Sequence, residues 1–109
     1  MTPELILDPS APERADALRA RGAEVIGALP GLARVATDAV VRRFSEEEPP
    51  PDELAEAAGD LRISAVEVVA DGSVVLHLDD SCGEHFLDGY WPAVRLGPTG
   101  EVVAVTVES

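Results

Sequence analysis

The residues with the most obvious chemical potential lie in one stretch, residues 79–91, which reads DDSCGEHFLDGYW. This stretch holds three aspartates, a glutamate, the only cysteine, one of the two histidines and the only tryptophan. Carboxylates and an imidazole at this density could bind a divalent cation that activates water. The corresponding function is a small metal-dependent hydrolase, and its ligands would be Asp79, Asp80, Glu84 and His85.

The spacing of these residues matches no established metal or nucleophile motif. The alternating acids and terminal glutamate of an EF-hand are absent, as are paired cysteine or histidine ligands at zinc-site spacing. Cys82 and His85 lack an evident third group that would orient the imidazole for nucleophilic catalysis. We therefore predict no catalytic residue, no metal and no cofactor, and we keep the metal-dependent hydrolase as the alternative function.

The charge distribution favours a binding module instead. The chain has 21 acids and eight basic residues, a net charge of −13. Residues 1–44 hold six acids and six arginines, whereas residues 45–109 hold fifteen acids and two arginines. Such a field repels nucleic acid and attracts a basic protein, although it is also typical of a surface that only maintains solubility. The predicted partner contacts are Asp79, Asp80, Glu84, Asp88, Glu46, Glu47 and Glu48.

The length and the N-terminus set the expected class of protein. A chain of 109 residues is the size of one domain, so we predict a single domain over residues 1–109. No apolar run approaches the length of a membrane span, and the N-terminus has neither a basic nor a long apolar segment. These features predict a cytoplasmic protein with no membrane partner. They leave its oligomeric state open.

Residues 1–60 are predicted to be mainly helical. Ser10 and Glu13 have the spacing of a capping box, which predicts a helix that starts near Ala11 and stops at Pro30-Gly31. A rival interpretation ends this helix before Gly22 and makes AEVIGAL a strand that pairs with ELILD. The sequence leaves residues 22–28 open between helix and strand.

Two further helices are predicted before residue 61. An apolar stripe from Leu32 to Phe44 indicates an amphipathic helix. The segment SEEEPPP then predicts an extended linker, because its prolines prevent helix continuation. A short helix over DELAEAAGD follows, closed by Gly59.

Residues 61–109 change to a period of two and predict a β-meander. A three-residue loop at 70–72, with Gly72 in the left-handed conformation, sets Val66 opposite Leu76 and buries those side chains. His77 then points to the second face, as a solvent-edge or hydrogen-bonded residue. A second hairpin turns at residues 98–100 with its register left open, and Pro92 predicts a bulge or an edge position for the third strand.

The resulting fold class is α+β, with two to three N-terminal helices packed on a four-stranded antiparallel β-meander. Its DGSVVLHLDD hairpin, the FLDGYWPAVRL segment and the closing GEVVAVTVES strand resemble family 2262 of the bacterial domains of unknown function. The similarity covers roughly residues 15 to 108, and its recognisable positions lie in the β half. Where that family tends to place a histidine after glycine, this chain has Tyr90. The resemblance implies a helices-then-meander fold and an immunity-type or regulatory role.

Overall fold

A computed structural model describes residues 3–80 and 90–108. Its elements are β1 (Glu4–Leu7), a 3-10 turn (Pro12–Arg14), α1 (Ala15–Gly27), α2 (Leu29–Arg43), α3 (Pro51–Asp60), β2 (Leu61–Val68), β3 (Val74–Asp80), β4 (Trp91–Leu96) and β5 (Val102–Glu108). The strands form one sheet in the order β1-β2-β3-β4-β5. β1 is parallel to β2, and the other neighbouring pairs are antiparallel. The α+β class is confirmed, but the prediction of four antiparallel strands is wrong.

The additional strand is β1, which the sequence pattern did not assign to the meander. Its four residues are too few to show a period of two. β1 pairs with residues 65–68 of β2, and a parallel pair of this kind needs a long crossover, which the three helices supply. Leu5 of β1 packs against Gly22 of α1, where an added Cβ would lie 2.7 Å from Leu5 Cδ1. Gly22 thus allows α1 to approach the strand closely.

The structure corrects three expectations for residues 10–31. Residues 22–27 are helical, so the strand interpretation of AEVIGAL is wrong. The break between α1 and α2 lies at Ala28, because Pro30 fits the first turn of α2, where its missing N–H costs no hydrogen bond. The capping box is also wrong, since the Ser10 hydroxyl donates to Asp8 Oδ1 at 2.7 Å and the N-cap carries no side-chain hydrogen bond.

Both hairpins of the meander use the same loop. The predicted register of the first hairpin is confirmed, with Val66 opposite Leu76 and Val68 opposite Val74. Gly72 closes its loop with a φ of 91°. Gly100 closes the second loop, residues 98–100, with a φ of 92°, which resolves the turn that the sequence left open.

Pro92 lies in an internal strand and has no bulge at its own position, contrary to the prediction. β4 pairs with both β3 and β5, and its register irregularity lies at Arg95 and Leu96. Pro92 is tolerated because the pairs between β3 and β4 end at Ala93. β3 therefore makes no ladder hydrogen bond that would require an N–H from residue 92.

One face of the sheet is buried beneath the helices. Its apolar residues have at most 2% exposure: Val66, Val68, Val74, Leu76, Leu78, Val94 and Leu96. The helices contribute to the same cluster through Leu18, Val25, Ala36, Val40 and Ala57. The helices therefore pack on one side of the sheet, and alternate strand residues point to the other side, called here the open face.

Two aspartates fasten the hairpin and the N-terminal strand by accepting backbone hydrogen bonds. Asp8 accepts from the N–H groups of Ser10 and Ala70, each at 2.9 Å. Asp71 accepts from the Ser73 N–H at 2.9 Å. Hydrogen bonds from the hydroxyls of Ser10 and Ser73, followed by those from the backbone, lower the pKa of Asp8 and of Asp71 respectively. These carboxylates support the fold in their charged form.

We predict opposite effects for two glycine-to-alanine substitutions. Gly72→Ala should destabilise the protein by about 1 to 2 kcal/mol, because alanine disfavours a positive φ. Gly59→Ala, in α3 with open space around the new Cβ, should stabilise it by about 0.5 kcal/mol. Urea denaturation measures both values. Equal stability of Gly72→Ala and the parent chain would contradict the assigned loop.

Candidate functional site

The acids predicted to bind a partner occupy two described places in the fold. Glu46–Glu48 lie exposed in the loop between α2 and α3. Asp79 and Asp80 end β3, opposite Arg62 and Leu61 of β2. The remaining predicted site residues lie among residues 81–89, outside the described part of the chain: Glu84, His85 and Asp88.

Helix α3 links these two places. Leu54 and Ala57 are buried against the core, and the exposed side of the helix carries further acids. Its ten residues span about 15 Å at 1.5 Å per residue, from the glutamate loop to the strand pair that holds Asp80. We call the acids along this path the acidic band: Glu46, Glu47, Glu48, Asp52, Glu53, Glu56 and Asp60.

Positive charge is scarce along the acidic band. Between Arg43 and Arg62 the sequence contains no basic residue. Arg42 Nε donates to Glu48 Oε1 at 2.9 Å, and this hydrogen bond raises the pKa of Arg42. Within the described part of the chain, no cation pairs with the other exposed acids of the loop and helix: Glu46, Glu47, Asp52, Glu53 and Glu56.

Most arginines in the described residues have partners elsewhere. Arg14 donates to the carbonyl of Ala70, and Arg21 donates to that of Pro98 at 3.0 Å, so both tie the first helical segment to the hairpin loops. The other ion pairs are Arg19–Asp16, Arg21–Glu24, Arg34–Asp38, Arg62–Asp79 and Arg95–Asp71. The acidic band therefore retains a repulsion among like charges that a cationic partner would relieve.

An apolar groove of about 310 Å³ lies between α2 and α3 beside the acidic band. Phe44, with 54% exposure, stands at its side, and Glu53 and Glu56 contribute carboxylates. The apolar lining comes from Val40, Val41, Ala57 and Leu61. We call this feature the α2–α3 groove. It combines an apolar lining for the methylenes of a lysine or arginine with carboxylates for the charged end.

The sequence prediction did not single out this groove. It placed Phe44 on an apolar stripe and counted Glu53 and Glu56 only as part of the net charge. The available signal was the three-residue spacing of the two glutamates, which sets them on one side of α3. Residue spacing gives no information on the packing of α3 against the end of α2, which forms the groove.

The open face carries a chain of hydrogen bonds across three strands. The indole N–H of Trp91 donates to His77 Nδ1 at 3.1 Å. The opposite ring nitrogen, Nε2, lies 3.1 Å from Glu67 Oε1. Because the indole can only donate, Nδ1 must accept and Nε2 must carry the proton that it shares with Glu67. The expectation that His77 is a hydrogen-bonded residue of the second face is confirmed.

This arrangement resembles the base and orienting carboxylate of a hydrolase, but it lacks the required free nitrogen. A general base or a metal ligand needs an unshared lone pair on the ring. In His77 the indole of Trp91 occupies that lone pair, and Glu67 accepts from the other nitrogen. The two hydrogen bonds instead hold these three side chains in place on the open face.

Asp79 and Asp80 are poorly arranged to share a cation. They are consecutive residues of β3, so their side chains point to opposite faces of the sheet. Within residues 3–80 and 90–108, no group of three or more histidine, cysteine or acidic residues could hold a metal ion. The alternative function, a metal-dependent hydrolase, therefore depends on Glu84 and His85, which lie outside the described residues.

Comparisons with known proteins identify no family for this chain. No family model, curated protein or solved structure matches this chain. In the described part of the chain, no helix is both long and apolar enough to cross a membrane. The resemblance to family 2262 stays a prediction.

We predict that the neutral ring of His77 carries its proton on Nε2 and not on Nδ1. Long-range ¹H–¹⁵N spectra of histidine-labelled protein distinguish the two nitrogens directly. Trp91→Phe removes the donor to Nδ1. The ¹⁵N chemical shift of Nδ1 should therefore move towards that of an imidazole nitrogen that accepts no hydrogen bond. A proton on Nδ1 in the parent protein would contradict the assigned hydrogen bonds.

We also predict that divalent cations leave the thermal stability nearly unchanged. A ligand that binds the native state tightly must raise the melting temperature. Millimolar Mg²⁺, Ca²⁺, Mn²⁺ and Zn²⁺ should each fail to do so in thermal unfolding. A shift of several degrees with one ion, abolished by Asp79→Ala or His85→Ala, would favour the hydrolase alternative.

Proposed function

We propose that this protein is a non-catalytic acidic binding module of the bacterial cytosol that recognises a basic protein partner. The resemblance to family 2262 supports an immunity-type or regulatory role for such a module. In this proposal the acidic band and the α2–α3 groove form the leading contact surface. Asp79 and Asp80, at the end of β3, are further proposed contacts. Glu84 and Asp88, which lie outside the described residues, stay predicted contacts from the sequence.

The observation that carries the proposal is the combination of groove and uncompensated charge. An apolar lining lies next to Glu53 and Glu56, and no cation among the described residues pairs with either carboxylate. A surface that served only solubility would not need an apolar groove beside its carboxylates. An arginine or lysine from a partner would satisfy both parts of this surface at once.

The charge pattern also supports rapid and salt-dependent recognition. A one-signed field accelerates the encounter with an oppositely charged partner. The Debye length shortens from over about 10 Å to a few ångströms between about 0.05 and 0.5 M salt. Association should therefore slow steeply as salt is added. The groove would then select for partners that bring apolar contact as well as positive charge.

A fluorescein-labelled hexa-arginine peptide tests this surface without a known partner. Fluorescence anisotropy gives its affinity, and amide shifts in ¹H–¹⁵N spectra locate it. We expect Glu53→Gln/Glu56→Gln to weaken binding about tenfold, because both carboxylates beside the groove are neutralised. The largest shifts should fall on the end of α2 and on α3.

A matched double variant separates the groove from the net charge. Glu4→Gln/Glu13→Gln removes the same two charges from exposed positions outside the acidic band. It should change the affinity by less than about threefold, since only the long-range field is reduced. Equal weakening by the two double variants, with shifts spread over all acidic segments, would contradict a specific site.

A further inference from the structure

The strand β5 forms an exposed and largely apolar edge of the sheet. β5 is the last strand in the sheet order, and no described strand pairs with its outer side. Five of its seven residues are β-branched: Val102, Val103, Val105, Thr106 and Val107. Val102, Val103 and Val107 have exposures of 41%, 58% and 43%. An exposed, apolar edge of this length is a template for pairing with another strand.

The edge formed by β5 differs from the rest of the chain because it has few charged residues. Glu101 precedes β5 and Glu108 is its last residue, but residues 102–107 contain no charged side chain in a protein with 21 acids. The opposite edge, β1, has only four residues, begins with Glu4 and follows Pro3. Proteins commonly protect edges by shortness, charge, proline or a β-bulge. β1 has the first three of these features, whereas the protection of β5 is one bulge at Val103, between the pairs Leu96–Val102 and Arg95–Ala104. Residues 104–107 continue this edge without a bulge or a charge.

The surface beside β5 extends the apolar edge. A groove of about 570 Å³ lies between α2 and the strand, lined by Ala39, Arg42, Arg43 and residues 102–105. Val35, four residues before Ala39 on α2, is also exposed. Arg43 lies over the ring of Phe44 at 5.6 Å and adds positive charge near the strand. This is a less acidic part of the surface than the acidic band.

We propose that β5 pairs with β5 of a second copy of this chain, in an antiparallel and two-fold symmetric manner. An antiparallel pair of identical strands places the charge-free residues of one copy against those of the other. Glu101 of one copy then lies near Glu108 of the other at each end of the contact, outside its charge-free centre, and Arg42 and Arg43 of α2 flank the strand. The occupant that best matches a neutral valine edge is the same neutral edge.

A basic partner is a weaker match for this edge. It would gain no charge complementarity from residues 102–107, whereas the acidic band provides it. Two copies of charge −13, by contrast, can approach closely only where their acids are absent. Residues 102–107 of β5 meet this condition.

The length of the strand sets the expected affinity. Seven residues span about 24 Å at 3.4 Å per residue. Pairing over this length, together with contacts from the flanking side chains of α2, would bury about 1,200 Å² of surface in total. This area is near the lower end of specific interfaces. We therefore expect a reversible dimer with a dissociation constant in the micromolar range.

Sedimentation velocity over about 1 to 200 µM protein tests the proposal. The mass should rise from the monomer value of 11.4 kDa to twice that value. Added salt should strengthen the association, because it screens the repulsion between two acidic copies. This dependence is opposite to that of a basic partner, so the dimer and the proposed binding function succeed or fail independently.

Lysine substitutions locate the interface. Val103→Lys should weaken the dimer at least about tenfold, although it reduces the net negative charge that opposes association. Val107→Lys, at another exposed position of β5, should do the same and serves if the first variant is destabilised. Ile6→Lys places the same change on β1 and should leave the dimer intact.

Four outcomes would overturn the inference. The first is a parent chain that remains monomeric throughout this range, and the second is a dimer that survives both β5 substitutions. Growth past the dimer would exclude two-fold pairing, because that pairing consumes both β5 edges. Hexa-arginine shifts on β5 of a monomeric parent chain would assign the edge to a basic partner instead.

Discussion

Burial of one face of the sheet beneath three helices constrains the rest of the structure. The period of two along each strand sends Val66 and Leu76 into the core and their neighbours Glu67 and His77 to the open face. Each helix likewise commits one side to the core and leaves the other side to solvent. The surfaces left for function are therefore the outer sides of the helices, the open face and the two sheet edges. These surfaces differ sharply in charge.

The acidic residues fall into two physical classes. Asp8 and Asp71 accept hydrogen bonds from the backbone, which together with the bonds from serine hydroxyls lower their pKa values. The stability that each contributes is complete above the pKa of the unfolded chain and is lost as the pH falls through the lower, folded value. Glu46 and Glu47 in the acidic band have no cationic partner among the described residues, and they repel one another. The first class fastens the fold, and the second carries charge that the proposed basic partner would neutralise.

Local patterns predicted the meander better than the contacts between distant elements. The register of the first hairpin followed from Gly72, because only one loop length places glycine at the positive φ and apolar residues on one face. The segment of β1 was considered as a strand only in the rival interpretation, which paired it with AEVIGAL. Its actual parallel partner, β2, lies beyond three helices in the sequence. The network of His77 with Glu67 and Trp91 requires the lateral order of three strands. The α2–α3 groove requires the packing of two helices, which residue spacing alone does not contain.

The central claim is that the acidic band serves recognition and not folding. Its most direct test is the free energy of unfolding in urea at low salt, measured for Glu46→Gln/Glu47→Gln/Glu56→Gln and for Asp8→Asn/Asp71→Asn. We expect the band variant to be as stable as the parent chain or more stable, because repulsion is relieved, and the second variant to be less stable, because charged acceptors are lost. A band variant that loses stability to the same extent as Asp8→Asn/Asp71→Asn would contradict the claim, because those glutamates would then belong to the fold.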